Sequence, residues 1–100
     1  MASVATVTFD AYVVDTLLPD LVGHDRKPSA FLVYLVLAGI ARRTGRDRVN
    51  ASLETIAVKT GLSKSSVQSA LRHLRRRGLV ADEPASSTDP VRTILRPWIR

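Results

Sequence analysis

The chain has 100 residues, with 15 Lys and Arg against 9 Asp and Glu, a formal net charge of +6 and no cysteine. We expect one domain with one small core, too small to hold a separate ligand-binding or catalytic domain. The lack of cysteine excludes disulfides and Cys-based zinc sites, and it fits the reducing cytoplasm, where we place the protein. The basic excess favours polyanionic partners, with nucleic acid first and an anionic membrane surface second.

Charge and hydropathy are unevenly distributed along the chain. Residues 1–25 carry four aspartates and no Lys or Arg, so we expect the basic surface in residues 26–100. The most hydrophobic run, residues 30–41, is about two-thirds of the ~18 apolar residues that a membrane-spanning helix needs. We therefore predict a buried core helix there and no membrane partner, and the N-terminus has no signal-peptide pattern.

Residues 1–27 are predicted to form an N-terminal extension with a strand and a helix, and they are a candidate dimerisation segment. The β-branched run SVATVTF, residues 3–9, is typical of a strand that pairs elsewhere in the fold or across a dimer. Apolar side chains then recur at helical spacing from Phe9 to Leu17, which predicts an amphipathic helix that ends at Pro19. A short turn is expected to follow.

A long apolar helix is predicted to begin at Pro28, because proline in the first turn breaks no intrahelical hydrogen bond. It is expected to end at Gly45, after basic residues in its last turn. A helix that is apolar on nearly all sides lies either at the centre of the core or partly in a subunit interface. Residues 47–51, DRVNA, are predicted to form a short extended link.

Two short helices joined by a tight turn are predicted next. Ser52 suits the N-cap of the first helix, which stops at Gly61. Gly61 allows the positive φ that reverses the chain, and Ser63 can accept hydrogen bonds from the first N–H groups of the second helix. That second helix ends at Gly78 and carries its apolar face on Val67, Ala70, Leu71 and Leu74. Two short apolar runs around a polar loop, between residues 79 and 95, then predict a β-hairpin.

The GLS turn at residues 61–63, the spacing of the apolar side chains and the closing GLV at residues 78–80 resemble the winged helix-turn-helix of bacterial transcriptional regulators. The resemblance covers residues 28–96. It implies a mainly α fold, with a three-helix core and a small β-hairpin as the wing, preceded here by the strand/helix extension. We accordingly predict a DNA-binding domain over residues 28–100.

The resemblance implies that residues 64–77 form a recognition helix in the major groove of double-stranded DNA. On a helical wheel, polar side chains lie opposite the apolar face. The residues expected at base edges or in the groove are Ser65, Ser66, Gln68, Ser69 and Arg72. Gln68 can pair with adenine and Arg72 with guanine, so specificity is predicted to depend on these two. The residues expected at phosphates are Ser63, Lys64, Arg75, Arg76, Arg77 and Arg92.

Other charged groups are ambiguous. Arginines at the C-terminal end of a helix can be there for their favourable interaction with the helix dipole and not for DNA contact. This alternative applies most to a second basic group, Arg42, Arg43, Arg46 and Arg48. The wing carries acids that phosphates repel, Asp82, Glu83 and Asp89, which argues against a minor-groove contact and leaves Arg92 as its one candidate cation. His24 and His73 stand alone in separate segments, so we predict no metal and no cofactor. Trp98 is expected to anchor the C-terminus on the body of the domain.

We predict a sequence-specific DNA-binding regulator, most simply a repressor, that acts as a homodimer because one recognition helix contacts only one half-site. Two alternatives stay open: the DNA-binding part of a plasmid or phage replication initiator, and a winged-helix protein–protein assembly module that works through its acidic, apolar N-terminal part. An enzyme is not predicted, since no catalytic constellation is present in the sequence. The sequence identifies no small-molecule effector.

Overall fold

A computed structural model describes residues 4–82 and 90–99. The described part of the chain forms two short N-terminal π-helical segments, three α-helices and three β-strands. These are, in order, the π-helical segments Val13–Leu17 and Pro19–His24, α1 (Pro28–Thr44), β1 (Arg48–Asn50), α2 (Leu53–Thr60), α3 (Lys64–Arg76), β2 (Val80–Asp82) and β3 (Val91–Ile94). The predicted winged helix-turn-helix is confirmed. None of the helices within the described ranges is long and apolar enough to cross a membrane.

Local signals set the ends of α2 and α3 where the sequence predicts them. The Thr55 N–H donates to Ser52 Oγ, and the Ser66 N–H donates to Ser63 Oγ, each at 3.1 Å. Gly61 has φ of 78°, in the left-handed region that allows the chain to reverse between the helices. The two caps and this glycine position α3 across the end of α2.

Helix α1 lies at the centre of the core and packs against α2, α3, the sheet and the second π-helical segment. Its buried residues are Ala30, Phe31, Val33, Tyr34, Leu37, Ala38 and Ala41. Val13, Leu17 and Leu21 of the N-terminal extension belong to the same hydrophobic core. Of the two places predicted for α1, the core centre is therefore the one that it occupies within the protomer.

The three strands form one antiparallel sheet in the order β1-β3-β2. Arg48 of β1 lies opposite Thr93, and Asp82 of β2 lies opposite Arg92. The predicted hairpin is present, but residues 48–50 form a third strand where only an extended link was predicted. Three residues are too few to show a strand period, and pairing with β3 decides their conformation. Glu83 and Asp89, two of the acids predicted for the wing, lie outside the described residues.

The N-terminal extension differs from the prediction in two ways. Residues 4–9 form no strand: the Thr8 carbonyl accepts a hydrogen bond from Arg42 Nε at 3.2 Å, and Phe9 packs beside α1. Contacts with α1 replace strand pairing there. The helix also does not end at Pro19, because Leu18 keeps helical dihedrals and Pro19 occupies the first position of the next helical segment, where its missing N–H breaks no hydrogen bond.

The segment after β3 is fixed to the extension and to α1. Trp98 stacks on Tyr12 with ring centroids 4.5 Å apart, and its Nε1–H donates to Asp10 Oδ2 at 3.0 Å. The Tyr34 hydroxyl donates to the Leu95 carbonyl at 3.0 Å, and burial raises the pKa of Tyr34 to about 12. The predicted anchoring role of Trp98 is confirmed.

Candidate nucleic-acid interface

Helix α3 has one face in the core and an opposite face in solvent. Val67, Ala70 and Leu74 are fully buried. On the outer side Ser65, Gln68 and Arg72 are exposed, while Ser66 and Ser69 are half-buried at the edges of that side. All five residues predicted to contact bases therefore lie outside the core, on one helix that starts at an open turn.

Cations flank this surface at both ends of α3. Lys64 in the first turn and Arg75 and Arg76 in the last turn are all exposed. Ser63 is exposed as well, but its hydroxyl is already engaged, since it accepts from the Ser66 N–H and donates to Ser66 Oγ at 3.0 Å. Its predicted phosphate contact would compete with its capping role. We call the outer side of α3, residues 64–76, the α3 face.

Arg92 lies elsewhere than the sequence suggests. The prediction treats it as the one candidate cation of the wing, and in the structure it is only 6% exposed. Its Nε donates to the carbonyl of Ala51 at 3.0 Å, directly before the N-cap of α2. A buried guanidinium is stable only when hydrogen bonds and charge compensate for the loss of hydration. The phosphate contact predicted for Arg92 would have to come from a nearly buried guanidinium, and it stays a prediction.

Arg77 is turned toward the N-terminal extension. It forms an ion pair with Asp20, and its Nε lies 3.0 Å from Asp25 Oδ2. Its guanidinium is thus committed to two carboxylates of the protein, which argues against the phosphate contact predicted for it. One indirect signal for this arrangement is visible in the sequence: the N-terminal part carries only acidic charges, and the basic residues follow it.

Asp25 lies at the centre of a group of interacting residues between α3 and the extension. We call this group the Asp25 cluster: Asp20, His24, Asp25, His73 and Arg77. The Asp25 carboxylate accepts from His24 Nδ1 at 2.9 Å and from His73 Nε2 at 2.7 Å. These hydrogen bonds, together with the charges of Arg77 and His73, lower the pKa of Asp25 against the opposing effect of burial. The cluster therefore ties the C-terminal end of α3 to the extension.

The spacing within the cluster also resembles a metal site. Potential ligand atoms of Asp20, His24 and Asp25 lie within 4.8 Å of one another. The same carboxylates already bind Arg77 and His73, and the Arg77 guanidinium supplies positive charge of the kind that a metal ion would bring. Ion pairing accounts for this geometry, and the predicted absence of a metal site stays a prediction.

A groove of about 270 Å³ separates α3 from the wing, and we call it the α3–wing groove. Its described lining residues come from all three neighbouring elements: Leu53 of α2, Gln68, Leu71, Arg72 and Arg75 of α3, and Arg92 of β3. Three of them are arginines. The groove thus joins part of the α3 face to the buried cation of the wing.

The second basic group lies at the far end of α1 and along β1. Arg42, Arg43, Arg46 and Arg48 are all exposed. Arg42 donates to the Thr8 carbonyl, which gives it a structural role, and Asp47 lies between the last two arginines in sequence. This group is separate from the lining of the α3–wing groove, and its ambiguity in the sequence remains.

Comparison with known proteins points to the same segment. The model of a family described as a helix-turn-helix domain matches residues 27–80, just over half of the chain. The matched segment includes all of α1, α2 and α3. Comparisons with curated proteins and with solved structures gave no match.

Proposed function

The chain belongs to the helix-turn-helix family, and from this we propose that it binds a specific sequence of double-stranded DNA and regulates transcription, most simply as a repressor. Helix-turn-helix domains bind DNA by placing the second helix of the motif in the major groove. The observation that carries the proposal is the α3 face, which is polar and basic while the opposite side of α3 is fully buried. A bound protein that blocks access to a promoter needs no further activity to repress.

We assign base contacts to the exposed N-terminal and middle part of α3. Gln68 is suited to two hydrogen bonds with adenine and Arg72 to two with guanine, each worth about 1–3 kcal/mol against a wrong base. Ser65, Ser66 and Ser69 can donate or accept, so they discriminate less. Specificity in this proposal depends on Gln68 and Arg72.

Phosphate contacts are assigned to Lys64, Arg75 and Arg76, which flank the base-contacting residues and are exposed. Contacts of this kind fix the position of α3 on the duplex and make affinity depend on salt. Arg77 is left out, because it is committed to the Asp25 cluster.

The proposal includes a homodimer, since one α3 contacts one half-site and two-fold dimers contact two half-sites about one helical turn apart. The interface is proposed on the N-terminal extension, where Val4, Val7, Tyr12 and Val14 leave 85%, 37%, 38% and 55% of their surface exposed. Helix α1 is less suited, because most of its apolar side chains are at least partly buried and only Leu32, at 41%, is exposed among its large ones. A protein that stays monomeric in sedimentation at micromolar concentration would contradict this part.

Selection from a random pool of duplexes tests the main proposal. The protein is equilibrated with the pool at 50 and 200 mM salt, and the retained fragments are sequenced. A dimer with ~6–10 phosphate contacts should lose about 10³–10⁵ in affinity between these salt concentrations, and a roughly palindromic motif should be enriched. Absence of binding at 50 mM salt, or binding without a motif, refutes a sequence-specific regulator.

Variants link the motif to residues. Gln68→Ala and Arg72→Gln should relax the preference at one motif position each. Arg43→Gln is the matched control for charge, because Arg43 is exposed and belongs to α1, not to α3. It should leave the base preference unchanged.

The exposed apolar side chains of the extension also support a second candidate, a protein–protein assembly module. In that case Gln68 and Arg72 are dispensable, and substitutions at Val4 and Val14 abolish function. A motif found at a replication origin would favour a replication initiator. The helix-turn-helix family is typically non-enzymatic, and we propose no catalytic role; by its resemblance to bacterial regulators we place the protein in the bacterial cytoplasm.

A further inference from the structure

Arg26 is an exposed cation in the turn between the N-terminal extension and α1, and none of the contacts described above involves its side chain. We propose that Arg26 binds a phosphate of the DNA strand that passes α3 on the side of the extension. The inference deepens the proposed function and rests on it, because the phosphate is a phosphodiester of the bound duplex.

The backbone of Arg26 lies beside the C-terminal end of α3. Its neighbour Asp25 accepts a hydrogen bond from His73 Nε2 at 2.7 Å, and Arg77 Nε lies 3.0 Å from the same carboxylate. His73 belongs to the last turn of α3, and Arg77 is the C-cap of that helix. Consecutive Cα atoms are about 3.8 Å apart, so the contacts of Asp25 also fix the position of Arg26 relative to α3.

The extension and the wing lie on opposite sides of α3. Gln68 and Arg75 line the α3–wing groove, whereas His73 and Arg77 contact Asp25. With 3.6 residues per turn, these two pairs point to opposite sides of the helix axis. A helix about 10–12 Å across fills a major groove about 12 Å wide. When α3 lies in the groove, the wing therefore faces one of the two bordering DNA strands and the extension faces the other.

The guanidinium of Arg26 is available for a ligand from outside the protein. Within residues 4–82 and 90–99 its side chain has no hydrogen bond and no ion pair. Its charge is not among those that lower the pKa of Asp25, although the two residues are adjacent. The carboxylates of Asp20 and Asp25, which would repel a phosphate, are engaged by Arg77 and His73.

Local preferences disfavour an arginine at this position. Arg26 has φ of 55°, and it is the one non-glycine residue with positive φ among the described residues. Any side chain with a Cβ is disfavoured there, and glycine is not. The residue also directly precedes Lys27, the N-cap of α1, and the first turn of α1 contains no acid. A helix N-terminus disfavours cations, and a phosphate bound to Arg26 would offset this electrostatic cost.

The decisive experiment measures stability and DNA affinity of the same variant in the full chain. Arg26→Gly removes the cation and relieves the positive φ, so we expect a urea midpoint equal to or above that of the wild type. Its affinity for the selected duplex should nevertheless be roughly 10-fold lower, since a charge-assisted contact is lost. The slope of log affinity against log salt should be less steep by about 0.9 for each half-site. Arg26→Lys keeps the charge and should keep the salt slope of the wild type.

The matched control is Arg43→Gln, which removes the same charge from an exposed position at the other end of α1. It reports how much affinity falls when only the net charge changes, and it should leave the salt slope close to that of the wild type.

Single neutral methylphosphonates in the selected duplex then locate the contact. One position in each half-site should lower the affinity of the wild type and of Arg43→Gln, and it should have no further effect in Arg26→Gly. Equal affinity losses in Arg26→Gly and Arg43→Gln, or no position that depends on Arg26, refute the contact and leave sequence-specific binding by the wild type in place. Absence of wild-type binding at 50 mM salt refutes the proposed function and the contact together.

Discussion

Replacing Asp25 by asparagine should strongly destabilise the fold, although Asp25 lies outside the residues matched to the family. The substitution keeps the shape of the side chain and removes its charge. Asp25 is 9% exposed and accepts hydrogen bonds from His73 and His24, with Arg77 Nε 3.0 Å away. An asparagine side chain is uncharged, so it cannot accept charge-assisted hydrogen bonds from His73, His24 and Arg77.

The size of the expected loss of unfolding free energy follows from how exposed each partner of Asp25 is. His24 is 81% exposed, so its pair with Asp25 is worth no more than the ~1 kcal/mol of a surface ion pair. His73 is 15% exposed, and its bond to a carboxylate falls in the range of about 1.5–3 kcal/mol for charged hydrogen bonds. Arg77 keeps its contact with Asp20. We expect Asp25→Asn to lower the free energy of unfolding by about 2–3 kcal/mol, or Tm by roughly 10–20 °C.

The destabilisation caused by Asp25→Asn should depend on pH. Because the pKa of Asp25 is lowered in the folded protein, its stabilisation is complete above the unfolded value of about 3.9 and is lost as pH falls through the lower folded value. The difference in stability between wild type and Asp25→Asn should therefore shrink below about pH 4.

Urea unfolding followed by circular dichroism, at several pH values, measures both effects. The control is Asp15→Asn, which removes the same charge from an exposed position of the extension and should change stability by less than about 0.5 kcal/mol. Equal stabilities of the two variants at pH 7 would show that the Asp25 cluster does not hold the extension on α3.

Three further changes test the local structure by the same unfolding assay. Ser63→Ala should cost about 1 kcal/mol, because α3 loses its N-cap, whereas Ser65→Ala should cost little. Gly61→Ala should cost about 1–2 kcal/mol through its φ of 78° alone, since no atom lies near an added Cβ; Gly23→Ala, with equal space and no positive φ, should not. Tyr34→Phe should cost about 0.5–1.5 kcal/mol below pH 10, and it should remove the loss of stability that the wild type shows as pH rises through the raised pKa of about 12. Equal losses of stability in Ser63→Ala and Ser65→Ala, or in Gly61→Ala and Gly23→Ala, would contradict the roles given to Ser63 and Gly61. A Tyr34→Phe variant that loses stability at alkaline pH as the wild type does would contradict the role given to Tyr34.

The sequence by itself determined the parts of the fold that depend on neighbouring residues. The caps Ser52 and Ser63 and the reversal at Gly61 follow from backbone preferences of single residues, so they could be predicted in place. The division of α3 into a buried and an exposed side follows from helical periodicity, which is also local. The predicted base-contacting surface depends on these two features.

Only the tertiary structure decided which cations remain available on the surface. Arg77 and Arg92 look like their neighbours in the sequence, but Asp20 and Asp25 engage the first, and the start of α2 buries the second. These partners are distant along the chain, and no periodicity connects them. The same holds for β1, which is a strand because β3 pairs with it, and for the segment at residues 4–9, which is no strand because α1 holds it. Contacts between distant segments override local preference, since pairing and packing energies exceed the small differences in intrinsic propensity.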